Sequence, residues 1–136
     1  MPVKLPGYSG TALPKKLGIK PNGKSLLVGA PREIVQELGV ARSAGPPRSP
    51  LDFVLFFTKT EAELKKHFAK LARKLQPAGM LWVSWPKRAS GVPTDLTEDV
   101  VRKVGVAAGL VDVKVCAIDE TWSGLKFVYR LKDRPK

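Results

Sequence analysis

The sequence predicts an α/β fold in which a mostly parallel sheet carries helices on both faces. Three observations predict it. Short apolar runs with strand character alternate with amphipathic stretches of helical period, the order expected of strand–helix–strand units. One of the runs, LDFVLFFT at 51–58, is apolar almost throughout, as a strand covered on both faces is. The chain then closes on two strand-like runs joined by a polar turn, which read as an antiparallel hairpin. Right-handed crossovers make the strands of successive units parallel, so only the last strand is expected to run against the others. The expectation is a Rossmann-like three-layer sandwich of about five strands with a C-terminal antiparallel hairpin.

Taken in order, residues 1–24 are rich in Pro, Gly and Lys and read as an N-terminal extension carrying one short helix. In TALPKKLGI, Thr11 is placed to cap, Leu13 and Leu17 lie four apart, and Gly18 ends the helix. PNGK at 21–24 reads as a turn. SLLVGA at 25–30 is a short strand, and Pro31 suits the first turn of a helix in which Ile34, Val35 and Leu38 share a face up to Gly39. ARSAGPPRSP at 41–50 has no periodicity and three prolines, and reads as a flexible loop.

The clearest helix is TEAELKKHFAKLARKL at 60–75. Thr60 is its cap, Glu61 and Glu63 favour its positive start, and Leu64, Phe68, Leu71, Ala72 and Leu75 form the buried stripe. His67 falls on the lysine side of that helix and reads as exposed; QPAG at 76–79 reads as its end. A buried strand, Met80 to Trp85, leads into a basic loop, Pro86 to Val92, and a second long helix. There Asp95 and Glu98 are spaced like a capping box, and Leu96, Val100, Val101, Val104 and Ala107 make the apolar stripe before Gly109. VDVKVCAI at 111–118 is a strand, DETWSG turns, LKFVYRL at 125–131 returns, and residues 132–136 form a frayed tail. The span 1–136 reads as one domain, long enough to bury a core without disulfides or metals.

Composition narrows the function classes. The single Cys116 excludes an internal disulfide and fits a reducing cytoplasm. One cysteine and one histidine are too few for the usual zinc sites, so no metal is expected. No apolar run approaches the ~20 residues of a membrane span, and MPVKLPGYSG lacks a secretory h-region. Against this ordinary background, 24 Lys+Arg face 12 Asp+Glu, a net charge of +12. Such a balance attracts anions, nucleic acid among them. Here the cations are spread along the chain rather than interleaved with aromatics, which does not favour nucleic acid as the partner.

From 51 onward the order resembles the second half of a class I methyltransferase. The matching features are a strand opening on Asp52-Phe53, a long helix, a Pro77-x-Gly79 turn into LWVSW at 81–85, and a terminal hairpin. The first half departs from that pattern. Where those enzymes carry a Gly-x-Gly-x-Gly loop, this chain has Gly29-Ala30-Pro31, and Gly39 to Leu51 leaves no room for the next two strands. The first of those strands supplies the acidic residue that holds the cofactor ribose. The glycines let the backbone turn tightly against the ligand, and a proline removes one N–H donor. The resemblance therefore implies a truncated class I methyltransferase fold without its adenosylmethionine pocket and with no cofactor. Nearly the whole chain also resembles a family of small bacterial proteins grouped as a domain of unknown function. That match rests on GYSGTALPKKLGIK (7–20), LWVSWPKRASG (81–91), DLTEDVVRKVG (95–105) and LVDVKVCAIDETWSGLKFVYR (110–130). It implies the same fold and a cytoplasmic location, and no activity.

The place to look for a site is the loop after strand 80–85, because open α/β sheets bind ligands at the carboxyl ends of their strands. Lys87, Arg88, Ser90, Gly91 and Thr94 offer two cations, two hydroxyls and a glycine beside a helix start, a composition that suits an anion. The plain alternative is a solvated crossover loop whose Asp95 caps the helix and repels anions. Trp85 at the strand end is placed to wall a cleft; Trp82, of opposite parity, belongs to the core; Trp122 on the hairpin turn is a candidate cleft or partner contact. Asp119, Ser123 and Gly124 fit turn chemistry, and Cys116 reads as a small buried hydrophobe rather than a nucleophile. No catalytic residue is assigned.

The sequence thus reads as a non-catalytic methyltransferase-like domain binding a small anionic ligand or a protein partner, away from membranes and with its oligomeric state open. Two alternatives remain: a basic nucleic-acid-associated protein, whose binding would weaken steeply with salt, and a methyltransferase with an atypical adenosylmethionine site.

Overall fold

The computed structural model describes residues 12–19, 24–38 and 50–130. The expected cap at Thr11, the turn at 21–23, the stop at Gly39, the loop from 41 to 49 and the tail at 132–136 lie outside the described residues. In chain order the elements are α1 (Leu13–Leu17), β1 (Ser25–Val28), α2 (Arg32–Leu38), β2 (Leu51–Phe57), α3 (Glu61–Arg73), β3 (Leu75–Pro86), a 3-10 turn (Arg88–Ser90), α4 (Glu98–Ala107), β4 (Leu110–Ala117) and β5 (Trp122–Tyr129). The five strands form one sheet in the order β1-β2-β3-β5-β4. β1, β2 and β3 pair in parallel, and β5 pairs antiparallel with both β3 and β4. The last strand alone therefore runs against the rest, as expected, and it lies between β3 and β4.

The sheet separates two cores because successive residues of a strand point to opposite faces. On one side Phe53, Leu55, Phe57 and Trp82 pack with Leu13 and Leu17 of α1 and Ile34 and Leu38 of α2. On the other, Val54, Phe56, Leu81, Val83 and Trp85 pack with Leu64, Phe68 and Leu71 of α3 and Val101 of α4. β2 is buried on both faces, which is why its sequence lacks the alternation of a half-solvated strand. Gly18 ends α1 in the left-handed conformation, and Thr60 caps α3 by accepting from Glu63 N at 3.2 Å.

Four local readings are corrected. QPAG is not a turn closing α3: the helix stops at Arg73, and Leu75 already pairs with Leu51 at the start of β3, ahead of an irregularity in the register. Lys74 O accepts from Leu51 N at 2.7 Å and Gln76 donates to Asp52 at 3.0 Å, so the neighbouring strand captures this segment. His67 is half-buried, with its ring edge-on to Phe56 at 5.9 Å. Ala107 of the α4 stripe is exposed, and the buried positions of that helix are Val101 and Gly105. β5 starts at Trp122, not Leu125, so the turn shrinks to four residues, 118–121.

Candidate functional site

The carboxyl end of β3 delivers the chain into the segment 86–97, and each turn of that segment has a local cause. Lys87 N donates to Thr121 O at 2.7 Å, fixing the loop to the hairpin turn. Ser90 Oγ donates to Lys87 O at 2.6 Å and accepts from Val92 N at 3.2 Å, closing the 3-10 turn. Gly91 follows with φ 76°; nothing would obstruct a side chain there, so glycine serves the backbone conformation alone. Thr94 Oγ1 donates to Lys59 O at 2.5 Å and accepts from Leu96 N at 3.0 Å, tying the segment to the β2–α3 junction.

The helix start lies two residues later than the capping-box spacing suggests. Thr97 is the N-cap of α4, accepting from Val100 N at 3.2 Å. Asp95 reaches across to α3, where its Oδ1 accepts from Glu61 N at 2.8 Å. Asp95→Ala should therefore cost about 1 kcal/mol and speed amide exchange at Glu61 while leaving the first turn of α4 protected; Asp95→Asn, which keeps the acceptor, should not. Exchange rising first in α4 would return Asp95 to the role of its own helix's cap.

This segment borders a cavity of about 720 Å³. Lys87, Arg88, Gly91 and Thr94 line it together with Trp85 and Ser123; Ser90 does not. Trp85 is buried on the α3–α4 side of the sheet and forms part of the cavity wall. Trp122 is not there: it lies on the opposite face, half-buried, edge-on to Phe57 with ring centroids 5.0 Å apart. Trp85 and Trp122 thus lie on opposite sides of the sheet, and Trp122 is a strand residue rather than an exposed turn residue.

The cavity's electrostatics are mixed. Neither Lys87 nor Arg88 has an ion pair among the described residues. Asp95 and Glu98 also line the cavity, but each is committed, Asp95 to Glu61 N and Glu98 to Arg102. Arg102 also bonds Asp99 at 3.0 Å and Asp112 at 2.9 Å, and its hydrogen bonds to Asp112 and Glu98 raise its pKa further above the ordinary value. The start of α4 carries Glu98 and Asp99 and is already capped, so that helix end is no anion site. Both hydroxyls are committed to backbone groups, Ser90 within the loop and Thr94 to Leu96 N and to Lys59 O at the β2–α3 junction, which leaves Lys87 and Arg88 as the groups available to an anion. Sequence reasoning missed Val92 and Pro93 as apolar walls and placed Leu96 in the α4 stripe, whereas it precedes that helix and lines the cavity; the run Thr97-Glu98-Asp99, a cap followed by an acidic first turn, is the signal for the later helix start.

Elsewhere the chemistry is quiet. Asp119 Oδ1 accepts from Thr121 N and Trp122 N, both at 2.8 Å, a role of turn formation. Burial pushes the Cys116 thiol up, against the opposing charges of Lys16 and Lys114, which suppresses the thiolate. Among the described residues no group of His, Cys, Asp and Glu is placed to hold a metal, and no helix is long and apolar enough to cross a membrane.

The same layout recurs in solved structures. One is magnesium protoporphyrin IX methyltransferase from Synechocystis PCC 6803 with bound SAM, 13% identical, matched over 88% of this chain and 76% of that one with a TM-score of 0.58. Another is a SAM-dependent methyltransferase from Aquifex aeolicus, 18% identical, covering 83% and 85% with a TM-score of 0.58. A third is Aeropyrum pernix fibrillarin with natively bound S-adenosyl-L-methionine, 15% identical, covering 86% and 73% with a TM-score of 0.55. No protein-family model and no curated protein sequence matches the chain. At these identities the likeness is one of fold: this is a class I methyltransferase-like fold.

Two of these neighbours hold SAM; of the Gly-x-Gly-x-Gly loop pattern, the described residues of this chain match one position. Of the glycine loop only Gly29 is in place, with φ 70°; a side chain there would come within 3.1 Å of Phe57 O. Ala30 packs into the core, and Pro31 has no N–H while its carbonyl already accepts from Ile34 N and Val35 N at 3.1 Å. β1 is the outermost described strand, so no described strand lies beyond it to carry a ribose-binding acid.

Proposed function

We propose that this chain is a non-catalytic methyltransferase-like domain that binds a small anionic ligand in the cavity beside the 86–97 segment. The observation that carries the reading is the pair Lys87 and Arg88, two cations without ion pairs among the described residues, held at the carboxyl end of the central parallel strand. Ligands of open α/β sheets bind at that end. Trp85, Val92, Pro93 and Leu96 give the cavity an apolar wall, so the ligand combines a flat or apolar body with an anionic group.

The test is calorimetric titration with inorganic phosphate, mononucleotides and coenzyme A against the wild type and Lys87→Ala/Arg88→Ala. Charge-assisted hydrogen bonds contribute about 1.5–3 kcal/mol each, so the double variant should bind at least about 100-fold more weakly. The fold should persist, because the loop is held through the Lys87 backbone and not through either side chain. Equal binding by both proteins would place the anion elsewhere.

One observation favours a second reading, a methyltransferase with an atypical adenosylmethionine site. Gly29 keeps the left-handed turn and the close backbone approach at the end of β1, the first requirement of the fold's cofactor loop. Adenosylmethionine in the same titrations decides between the readings: binding that survives Lys87→Ala/Arg88→Ala but is lost in Gly29→Val would establish the second and displace the first.

A further inference from the structure

α3 and α4 lie side by side on one face of the sheet, with a furrow of about 680 Å³ between them. Its floor is Phe68, Val100 and Val104, and its lips are the small side chains Ala69, Ala107 and Ala108. These include the less buried part of the α4 stripe: Val101 is fully buried, Val100 and Val104 pack against the core but are only partly buried, and Ala107 is exposed. Larger residues at the three alanines would close the furrow, so the sequence leaves an apolar channel open at the surface.

The rim is basic. Lys103 has no ion pair among the described residues, and Lys65 is paired only with Glu61 one turn back in its own helix, at 2.8 Å. Lys65 is largely exposed and Glu61 partly so, the kind of ion pair that contributes little and exchanges readily. Lys66 and Lys70 extend the cationic surface along α3, in a chain of net charge +12.

We infer that this furrow is the docking site for an acidic amphipathic helix of a partner protein. An extended peptide is the wrong occupant, because a channel between two helices offers no free strand edge and would leave the peptide's own N–H and C=O groups unpaired. A helix satisfies its backbone internally and presents apolar residues at i, i+3, i+4 and i+7 to such a groove. A second copy complements the rim less well: two-fold contact through this face would bring together two rims that each carry two lysines and one carboxylate. Asp and Glu flanking the apolar stripe of the incoming helix complement the rim.

The probe is a fluorescently labelled peptide of about 15 residues with Leu at i, i+4 and i+7, Glu on the flanks and Ala elsewhere, followed by anisotropy. A counterpart carries Lys in place of each Glu. The acidic peptide should bind the wild type and weaken about tenfold or more with Ala107→Arg, which fills the furrow at an exposed position and keeps the positive charge. Lys65→Glu/Lys103→Glu should lose the acidic peptide and gain the basic one. Absence of binding at about 1 mM peptide, equal binding of both peptides by the wild type, or indifference to Ala107→Arg would each overturn the inference. Short duplex DNA displacing the acidic peptide only in variants that retain the lysines, regardless of Ala107→Arg, would likewise overturn it in favour of a nucleic-acid surface. Circular dichroism of each variant confirms that the helices are intact.

Discussion

Trp82→Ala should lower stability by about 3–5 kcal/mol, a large share of what a domain of this size has, and reduce the melting temperature by on the order of 10 °C or more. Trp82 sits on β3, the middle strand of five, with no exposed surface. Its indole fills the core between the sheet and α1, and its Nε1 donates to Leu17 O at 2.9 Å. Two effects are therefore combined in alanine, a cavity in a close-packed interior and a buried carbonyl left without its donor. Trp82→Phe separates them. It keeps most of the ring and removes the donor, so it should cost about 1–3 kcal/mol and loosen α1 specifically, seen as faster exchange of the amide hydrogens that close the end of that helix at Gly18 and Ile19. Urea unfolding of the three proteins gives the energies. A phenylalanine variant as stable as the wild type would mean that the hydrogen bond contributes nothing and that α1 is held by packing alone.

The same residue shows how far the sequence can be read. Trp82 and Trp85 differ in parity, and that alone assigns them to opposite faces; the structure puts them in the two separate cores. The order of elements and the antiparallel return of the last strand follow from hydrophobic period and turn chemistry in the same way. What the sequence does not reveal is which long-range partner claims a polar group. Asp95 has the spacing of a cap for α4 yet bonds Glu61 N, 34 positions back in the chain, while Thr97 takes over the cap. Ser90 and Thr94 look like free hydroxyls until the Lys87 and Lys59 carbonyls are seen to accept from them. Trp122 looks like an exposed turn residue until β5 proves to start three residues earlier and brings Phe57 against it. In each case the competing interaction is tertiary, and local propensity carries no information about it. The cations of the candidate site remain as the sequence presents them because no such partner takes them among the described residues.

Gly105 is the position where this limit has the largest consequence, and Gly105→Val should destabilise the protein by about 3 kcal/mol or more. A glycine inside a helix normally costs about 1 kcal/mol relative to alanine, so local reasoning expects substitution to help. The packing reverses the sign. α4 lies so close to β5 that a Cβ on Gly105 would fall 2.1 Å from Cε1 of Phe127 and 2.6 Å from two further ring atoms. That ring cannot retreat easily: it is fully buried and held edge-on by Phe68 of α3, with centroids 5.2 Å apart. Alanine should accordingly lose about 1–2 kcal/mol net, overpacking outweighing the gain in propensity, and the branched valine should lose more. A double-mutant cycle supplies the proof of cause. Phe127→Leu makes room, so Gly105→Ala should be markedly less harmful in that background, with a favourable coupling of about 1 kcal/mol or more. Additive losses would show that the glycine serves backbone conformation and not the close approach. Because the contact also fixes how α4 is rotated about its axis, it decides which apolar side chains face the sheet and which are left over for the furrow beside α3. A substitution that pushes α4 outward should therefore disturb stability and peptide binding together, whereas Ala107→Arg should affect only the second.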